Sequence, residues 1–480
     1  MTRTLAQYLT VVAIITLRSA ALPAQVGGVP PLADYVGTFR YRDGRPIEIV
    51  EGQSLFAVLD EAKYKLTRID VDRFMNGVGD TIPFERDANG RVVAFQERGT
   101  RFPRLSARVT ALSAALAWPR PPKAGHLPPY RYRVPPARSD GIPVAHVAQS
   151  DLGVETVERL INSVLDGTHA DVHGVLLFQR GALVLEEYFY GYSASRVHQL
   201  RSATKSFVSA VAGIAVDRGA IAGATARVAS ALPYDAFANP DPRKATITLG
   251  DLLTMRPGLA CNDYDATSPG RETLIDESPD WVKATMDLPM VTDPGTIAHY
   301  CSGAVAVAGR WVERTVGEPL PIYAQRHLFG PLGIPRDHWR WNYTLTNANT
   351  EYAQLHVRPR DLLKFGLLYA NGGRWRGQRV LSESWVRASL TEQTQIDGTG
   401  YGYFWWRPWL NVPTATGVQR VTFNTAQGNG GQKIYIIPEL ELVAVFTGGD
   451  YNSGGSPPNR MMANMILPRL LEARRAMPAR

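Results

Sequence analysis

The chain has 480 residues, a length that calls for two or three domains rather than one core. Apolar residues make up 45% and charged residues 20%, which excludes a disordered chain and describes a folded, soluble one. The net charge of +8 comes from singly placed basic residues with no run of five or six, so composition offers no footprint for nucleic acid.

At the N-terminus Arg3 precedes an apolar stretch at residues 9–17, and Ser19, Ala20 and Ala21 follow. This is the layout of a secretory signal peptide over residues 1–24, cleaved after Ala21 or Ala24. A buried N-terminal strand is the competing reading. The stretch is too short to read as a membrane span, and no later run of 18 apolar residues exists. The expectation is a periplasmic or secreted protein with no stable membrane insertion after cleavage.

Residues 28–112 read as short strands and polar turns. Residues 35–41 alternate and run into Asp43-Gly44, residues 54–59 form a second apolar run, and Asn89-Gly90 leads into residues 91–95 as a hairpin turn does. The spacing predicts a small β-barrel or sandwich. Residues 113–139 hold Pro119, Pro121, Pro122, Pro128, Pro129, Pro135 and Pro136, the composition of an extended, stiff linker. From 140 to 475 helical and strand patterns alternate. Residues 154–165 have helical spacing, residues 174–178 and 182–188 read as strands joined at Arg180-Gly181, and residues 434–437 and 442–446 read as a hairpin turning at Pro438-Glu439. Strands at both ends with helical sequence between them predict an α+β fold, one antiparallel sheet flanked by helices, behind a smaller N-terminal all-β domain.

Cys261 and Cys301 are the two cysteines. In an oxidising compartment they form one disulfide, closing a loop worth about 3–4 kcal/mol of chain entropy; two buried free thiols are the alternative. The nine His are dispersed with no His-Glu-x-x-His, so the sequence predicts no metal site and calls for no cofactor.

Ser202-Ala203-Thr204-Lys205 opens a helical run whose apolar face is Phe207, Val208, Val211, Ile214 and Ala215, with Gly219 as its stop. Ser202 and Lys205, three apart, share one face of the first turn. A serine hydroxyl is a weak nucleophile until a neighbour takes its proton, and a Lys can do so when burial or nearby charge lowers its pKa. The same spacing also arises by chance at a solvated helix start. Downstream, Tyr300-Cys301-Ser302 precedes a helical run at 304–316, and a Tyr beside a Lys can share its proton and act as a base. Gly428-Asn429-Gly430-Gly431-Gln432 then precedes a strand, where glycine permits close backbone approach to a ligand. An N–H on an edge strand there would complete an oxyanion hole with the N–H of Ser202.

These three motifs, in this order, resemble the serine β-lactamase and penicillin-binding protein superfamily, in its class C-like branch of esterases and amide hydrolases. The 6-aminohexanoate-dimer hydrolase subgroup is similar in further segments, among them 252–259, Pro294-Gly295-Thr296, 328–334, 360–366 and 401–406. The resemblance spans residues 140–475. It implies that Ser202 is acylated, that Lys205 and Tyr300 shuttle protons, and that the N–H groups of Ser202 and Gln432 hold the oxyanion, with Ser302, Asn429, Gly430 and Gly431 lining the substrate site. Which of Lys205 and Tyr300 is the formal base stays open, since coupled groups titrate together.

Two positions depart from the superfamily pattern. The second motif usually ends in Asn, and here Ser302 stands; the third usually begins with Lys or His, and here Asn429 stands. A cation at the latter position would pair with a substrate carboxylate. Its absence favours a small-molecule ester or amide over a β-lactam or a D-Ala-D-Ala peptide. The aromatic run at 403–409 either walls an apolar substrate pocket or packs the core. Two other readings compete: a Ser-His-Asp hydrolase using His198 or His299, for which no Gly-x-Ser-x-Gly elbow is present, and a non-catalytic peptidoglycan-binding or sensor protein, which would normally have lost Ser, Lys or Tyr.

Overall fold

The computed structural model describes residues 29–41, 44–59, 62–77, 79–120, 128–341, 354–452 and 455–476. The predicted signal peptide, residues 1–24, lies outside them.

Eight short strands close an antiparallel barrel in sequence order: β1 (Gly37–Arg40), β2 (Pro46–Glu51), β3 (Leu55–Leu59), β4 (Ala62–Asp70), β5 (Arg73–Met75), β6 (Thr81–Arg86), β7 (Val92–Glu97) and β8 (Thr100–Ser106). Strand side chains alternate between faces, and β2 and β3 bury both. Ile47, Ile49, Leu55 and Ala57 point into the barrel, while Val50, Phe56 and Val58 pack outward against the larger domain. One barrel end is stoppered by the turn Leu32–Tyr35. The Tyr35 ring meets Phe74 and Phe84 edge-on at 4.9 and 5.0 Å, and its hydroxyl donates to Asp72, which also pairs with Arg86.

The described parts of the predicted stiff linker contact the folded chain on either side. Residues 111–116 form a short helix, and residues 128–138 lie along the larger domain. Asn162 and Glu158 accept the N–H groups of Tyr130 and Tyr132, and the Tyr132 hydroxyl donates to Val184 O. Proline leaves this extended segment few donors, and helix side chains satisfy those that remain.

The larger domain is built on an eight-stranded antiparallel sheet. Its strands are β9 (Val172–Gln179), β10 (Ala182–Tyr188), β11 (Thr394–Ile396), β12 (Thr399–Tyr401), β13 (Trp406–Arg407), β14 (Asn424–Gly428), β15 (Gln432–Ile437) and β16 (Leu442–Gly448), in the order β10-β9-β16-β15-β14-β13-β12-β11. Helices cover both faces, which is why residues 434–437 of β15 and 442–446 of β16 read as apolar runs. Ile434, Ile436, Val443 and Val445 pack with the helices Thr204–Asp217 and Pro359–Ala370. Tyr435, Ile437, Ala444 and Phe446 pack with Val154–Leu165 and the C-terminal helices. The fold is α+β, as the patterning predicts.

The barrel is held to this domain by more than apolar contact. Lys63 is 3% exposed, pairs with Asp171 at 2.5 Å and lies 3.7 Å over the Tyr190 ring. A disulfide joins Cys261 to Cys301, 40 positions apart in sequence. Reducing it, or replacing both cysteines with serine, is expected to cost about 3–4 kcal/mol of stability. Thermal unfolding with and without reductant checks this, and an unchanged melting temperature would contradict it.

Candidate active site

The short strand His198–Gln199 runs into a turn of 3-10 helix, Arg201–Ala203, and then into the helix Thr204–Asp217. Arg201, at φ 50°, holds the left-handed backbone conformation that reverses the chain immediately before Ser202. Ser202 is half-buried at this corner, whereas Lys205, one turn on, is 1% exposed. Lys205 Nζ donates to Ser202 Oγ at 2.9 Å and to Ser302 Oγ at 3.2 Å, and it lies 5.0 Å from the centre of the Tyr300 ring. The structure therefore brings Ser202, Lys205, Tyr300 and Ser302 together from two helix starts that are distant in sequence.

Burial alone would lower the Lys205 pKa, as the sequence reading supposes. The surroundings reverse that: Tyr300, Glu272 and Asp263 outweigh the loss of solvation and raise it above its ordinary value. The anionic partners of Lys205 were not identified from sequence. Asp263 accepts the N–H of Ser302 at 2.8 Å and that of Glu272 at 2.8 Å, so one carboxylate ties the second motif to the loop before it. Ser302 Oγ donates to Glu272 at 3.3 Å, linking the ammonium to a second carboxylate. Burial, reinforced by the like charge of Glu272, leaves the Asp263 pKa above its usual range despite Lys205 and the Ser302 N–H. The Cys261–Cys301 bridge brackets this arrangement, two residues from Asp263 and next to Tyr300.

Tyr300 is fixed by its rings as well. It stacks on Tyr264 at 5.3 Å and on Trp406 at 5.4 Å. The aromatic run thus divides: Trp406 backs Tyr300, while Trp405 is 1% exposed and packs on Tyr369 in the core.

The third motif departs from expectation. β15, which Gln432 opens, is an interior strand between β16 and β14, not an edge. Gln432 is fully buried; its side chain donates to Gly448 O at 2.8 Å and accepts the Gly448 N–H at 3.1 Å. Its backbone is paired in register with Gly428. It is Asn429, at the turn between β14 and β15, that reaches the cleft. Gly428 makes this approach feasible, because a Cβ there would stand 2.0 Å from Leu200 O. Gly430 does the same for the Tyr451 ring, which a Cβ would meet at 2.5 Å, and half-buried Gly431 completes the turn. The Asn429 side chain is engaged with Asn452, donating to Oδ1 at 2.6 Å and accepting its N–H at 3.1 Å.

Ser202, Ser302, Arg201, Glu272, Trp281 and Asn429 are among the residues around a small cleft of about 110 Å³. Of the competing histidines, His299 is exposed, and His198 is buried against His173 at 2.9 Å, its pKa pushed down to about 3 by burial. Neither bonds Ser202. Among the described residues no cluster of three His, Cys, Asp or Glu could hold a metal ion.

The sequence matches the family model described as Beta-lactamase over residues 157–459. A 6-aminohexanoate-dimer hydrolase from Paenarthrobacter ureafaciens is 26% identical over 310 residues, 58% of this chain and 73% of that protein. Among solved structures, a Bacillus anthracis protein assigned as a 6-aminohexanoate-dimer hydrolase superposes with a TM-score of 0.52 at 18% identity, covering 66% of this chain and 83% of its own. A Bacteroides dorei DSM 17855 protein assigned as a β-lactamase gives 0.51 at 18% identity, covering 68% and 99%. Neither of the two assigned structures has the sequence similarity to carry more than the fold. With its family model covering well over half of the sequence, the chain belongs to the β-lactamase family of hydrolases.

Proposed function

We propose that this protein is an exported serine hydrolase that cleaves an ester or amide bond of a small molecule through an acyl-enzyme on Ser202. The observation that carries the reading is the 2.9 Å hydrogen bond from a buried, charge-stabilised Lys205 to Ser202 Oγ. The anionic surroundings that favour a proton on Lys205 make it a poor acceptor for the Ser202 proton. That role falls to Tyr300, whose ring centre lies 5.0 Å from Lys205 Nζ. Ser202 Oγ attacks the carbonyl carbon and its proton passes to Tyr300. The carbonyl oxygen gains the negative charge and faces the N–H groups of Ser202 and Asn429. Collapse breaks the ester or amide bond, and the leaving oxygen or nitrogen takes the proton from Tyr300. Water then attacks the acyl-enzyme, gives a proton to Tyr300, and the acid departs as Ser202 Oγ is reprotonated.

The surroundings favour this substrate class over a β-lactam or a D-Ala-D-Ala peptide. Glu272 and Asp276 both line the cleft, and the Asn429 amide is occupied by Asn452, so a substrate carboxylate meets negative charge where the superfamily pattern usually places a cation. Similarity to a relative named for hydrolysis of the 6-aminohexanoate dimer supports an amide as one target. The intact disulfide supports export to the periplasm or beyond, in line with the signal-peptide layout. A sensor or peptidoglycan-binding role has no observation in its favour while Ser202, Lys205 and Tyr300 are all in place.

Hydrolysis of p-nitrophenyl acetate and of nitrocefin by wild type and Ser202→Ala tests the reading. Ester turnover is expected to fall at least a thousandfold in the variant, with little nitrocefin cleavage by either. Ester turnover surviving in Ser202→Ala would overturn the assignment, and rapid nitrocefin cleavage would restore the β-lactamase alternative. The pH profile tests the charge state. Glu272 helps hold the proton on Lys205, so Glu272→Gln lowers the Lys205 pKa and the ammonium is lost at lower pH. The alkaline limb of kcat/KM is therefore expected to move to lower pH; an unmoved limb would mean that Glu272 does not set the charge of Lys205.

A further inference from the structure

The barrel is a cup. Tyr35 and the Asp72–Arg86 pair stopper one end. At the other end, where β1, β3, β5 and β7 finish, a cavity of about 450 Å³ opens. Its inner wall is apolar, formed by Ile47, Ile49, Ala57, Leu66, Ile82 and Phe95. Its rim is polar: Tyr41 donates to Glu97 at 2.6 Å and Asn76 donates to Glu97 at 3.4 Å. An apolar interior of this volume with a few polar groups at its mouth is the ordinary make-up of a small-molecule site.

The mouth does not face open solvent all round. Asp171 and residues 449–452 of the larger domain complete its lining. Two of these residues touch residues that line the catalytic cleft. Tyr451 lies with its ring 6.1 Å from that of barrel residue Tyr64, and the Arg201 guanidinium sits 5.1 Å over it. Asn452, which lines the cavity, holds the side chain of Asn429, which lines the cleft. Asp450 donates its N–H to Gly430 O in the same turn. The linings of the two openings are thus joined along one seam by two contacts, Arg201 on Tyr451 and Asn429 on Asn452, and Arg201 is the residue before Ser202. The Lys63–Asp171 pair fixes the barrel to the loop that forms this seam, since Asp171 O also accepts the Gly449 N–H at 2.7 Å.

We infer that the barrel cavity is a subsite of the hydrolase, taking the aliphatic arm of an elongated ester or amide whose scissile bond lies at Ser202. This rests on the proposed function and names its substrate class: long-chain rather than compact. Transfer of each methylene from water to such an interior is favourable, so selectivity grows with chain length.

A series of p-nitrophenyl esters from acetate to dodecanoate reads this directly in wild type, Ala57→Phe, which fills the cavity from its wall, and Leu59→Trp, which obstructs it from the half-exposed rim. In wild type kcat/KM is expected to rise at least tenfold along the series, mainly through KM. In either variant the dodecanoate-to-acetate ratio is expected to fall at least tenfold. Leu59→Trp keeps the test decisive where the wall substitution prevents folding. A flat wild-type series, or a ratio unchanged in a folded variant, overturns the subsite while Ser202-dependent hydrolysis stands. Hydrolysis that persists in Ser202→Ala overturns instead the reading on which it rests.

Discussion

A buried ammonium is the constraint around which the site is arranged. Removing Lys205 from water costs several kcal/mol unless anions and hydrogen-bond acceptors replace the lost solvation. The fold supplies them from three places: Ser202 on the same helix turn, Ser302 at the start of the helix Ser302–Val316, and Asp263 and Glu272 on the loop between. Each group that stabilises the charge is itself positioned by another. Asp263 is held by two backbone N–H groups, Ser302 by Glu272, and the loop by the disulfide. Chemistry and local stability therefore draw on the same contacts.

The eight-stranded sheet makes that arrangement rigid. With both faces covered, its strands cannot slip register without exposing an apolar face. β14 delivers Asn429 to the cleft because Gly428 lets it press against Leu200, the residue that begins the nucleophile corner. The barrel, seated on the opposite face from the helix Thr204–Asp217, is linked to the catalytic turn through Tyr451 and Asn452. A module without catalytic residues thereby reaches the cleft through a single loop.

Much of this was legible in the sequence because it is periodic or carried by motifs. The helix Val154–Leu165, the β9–β10 hairpin and the β15–β16 hairpin follow from apolar spacing and turn residues. Ser202, Lys205 and Tyr300 follow from motif order. What escaped has no local pattern. Asp263 sits in an irregular turn and Glu272 opens the short helix Glu272–Asp276, and nothing in their neighbours marks an acid that will face a lysine distant in the chain. The direction of the Lys205 pKa depends on those same acids and on Tyr300, so it is not legible from the motif alone. Gln432 was taken for an edge-strand donor because a glycine run before a strand looks alike whether that strand is central or not; strand order is a tertiary property. The proline segment read as a spacer because composition shows stiffness and not what the segment lies against.

The most direct test is to trap the covalent intermediate. The protein is treated with a fluorophosphonate, digested, and the modified peptide sequenced by mass spectrometry. The account predicts a single adduct on Ser202, slowed strongly by Tyr300→Phe. An adduct on any other residue, or a Ser202 that stays unmodified in folded protein, would contradict it.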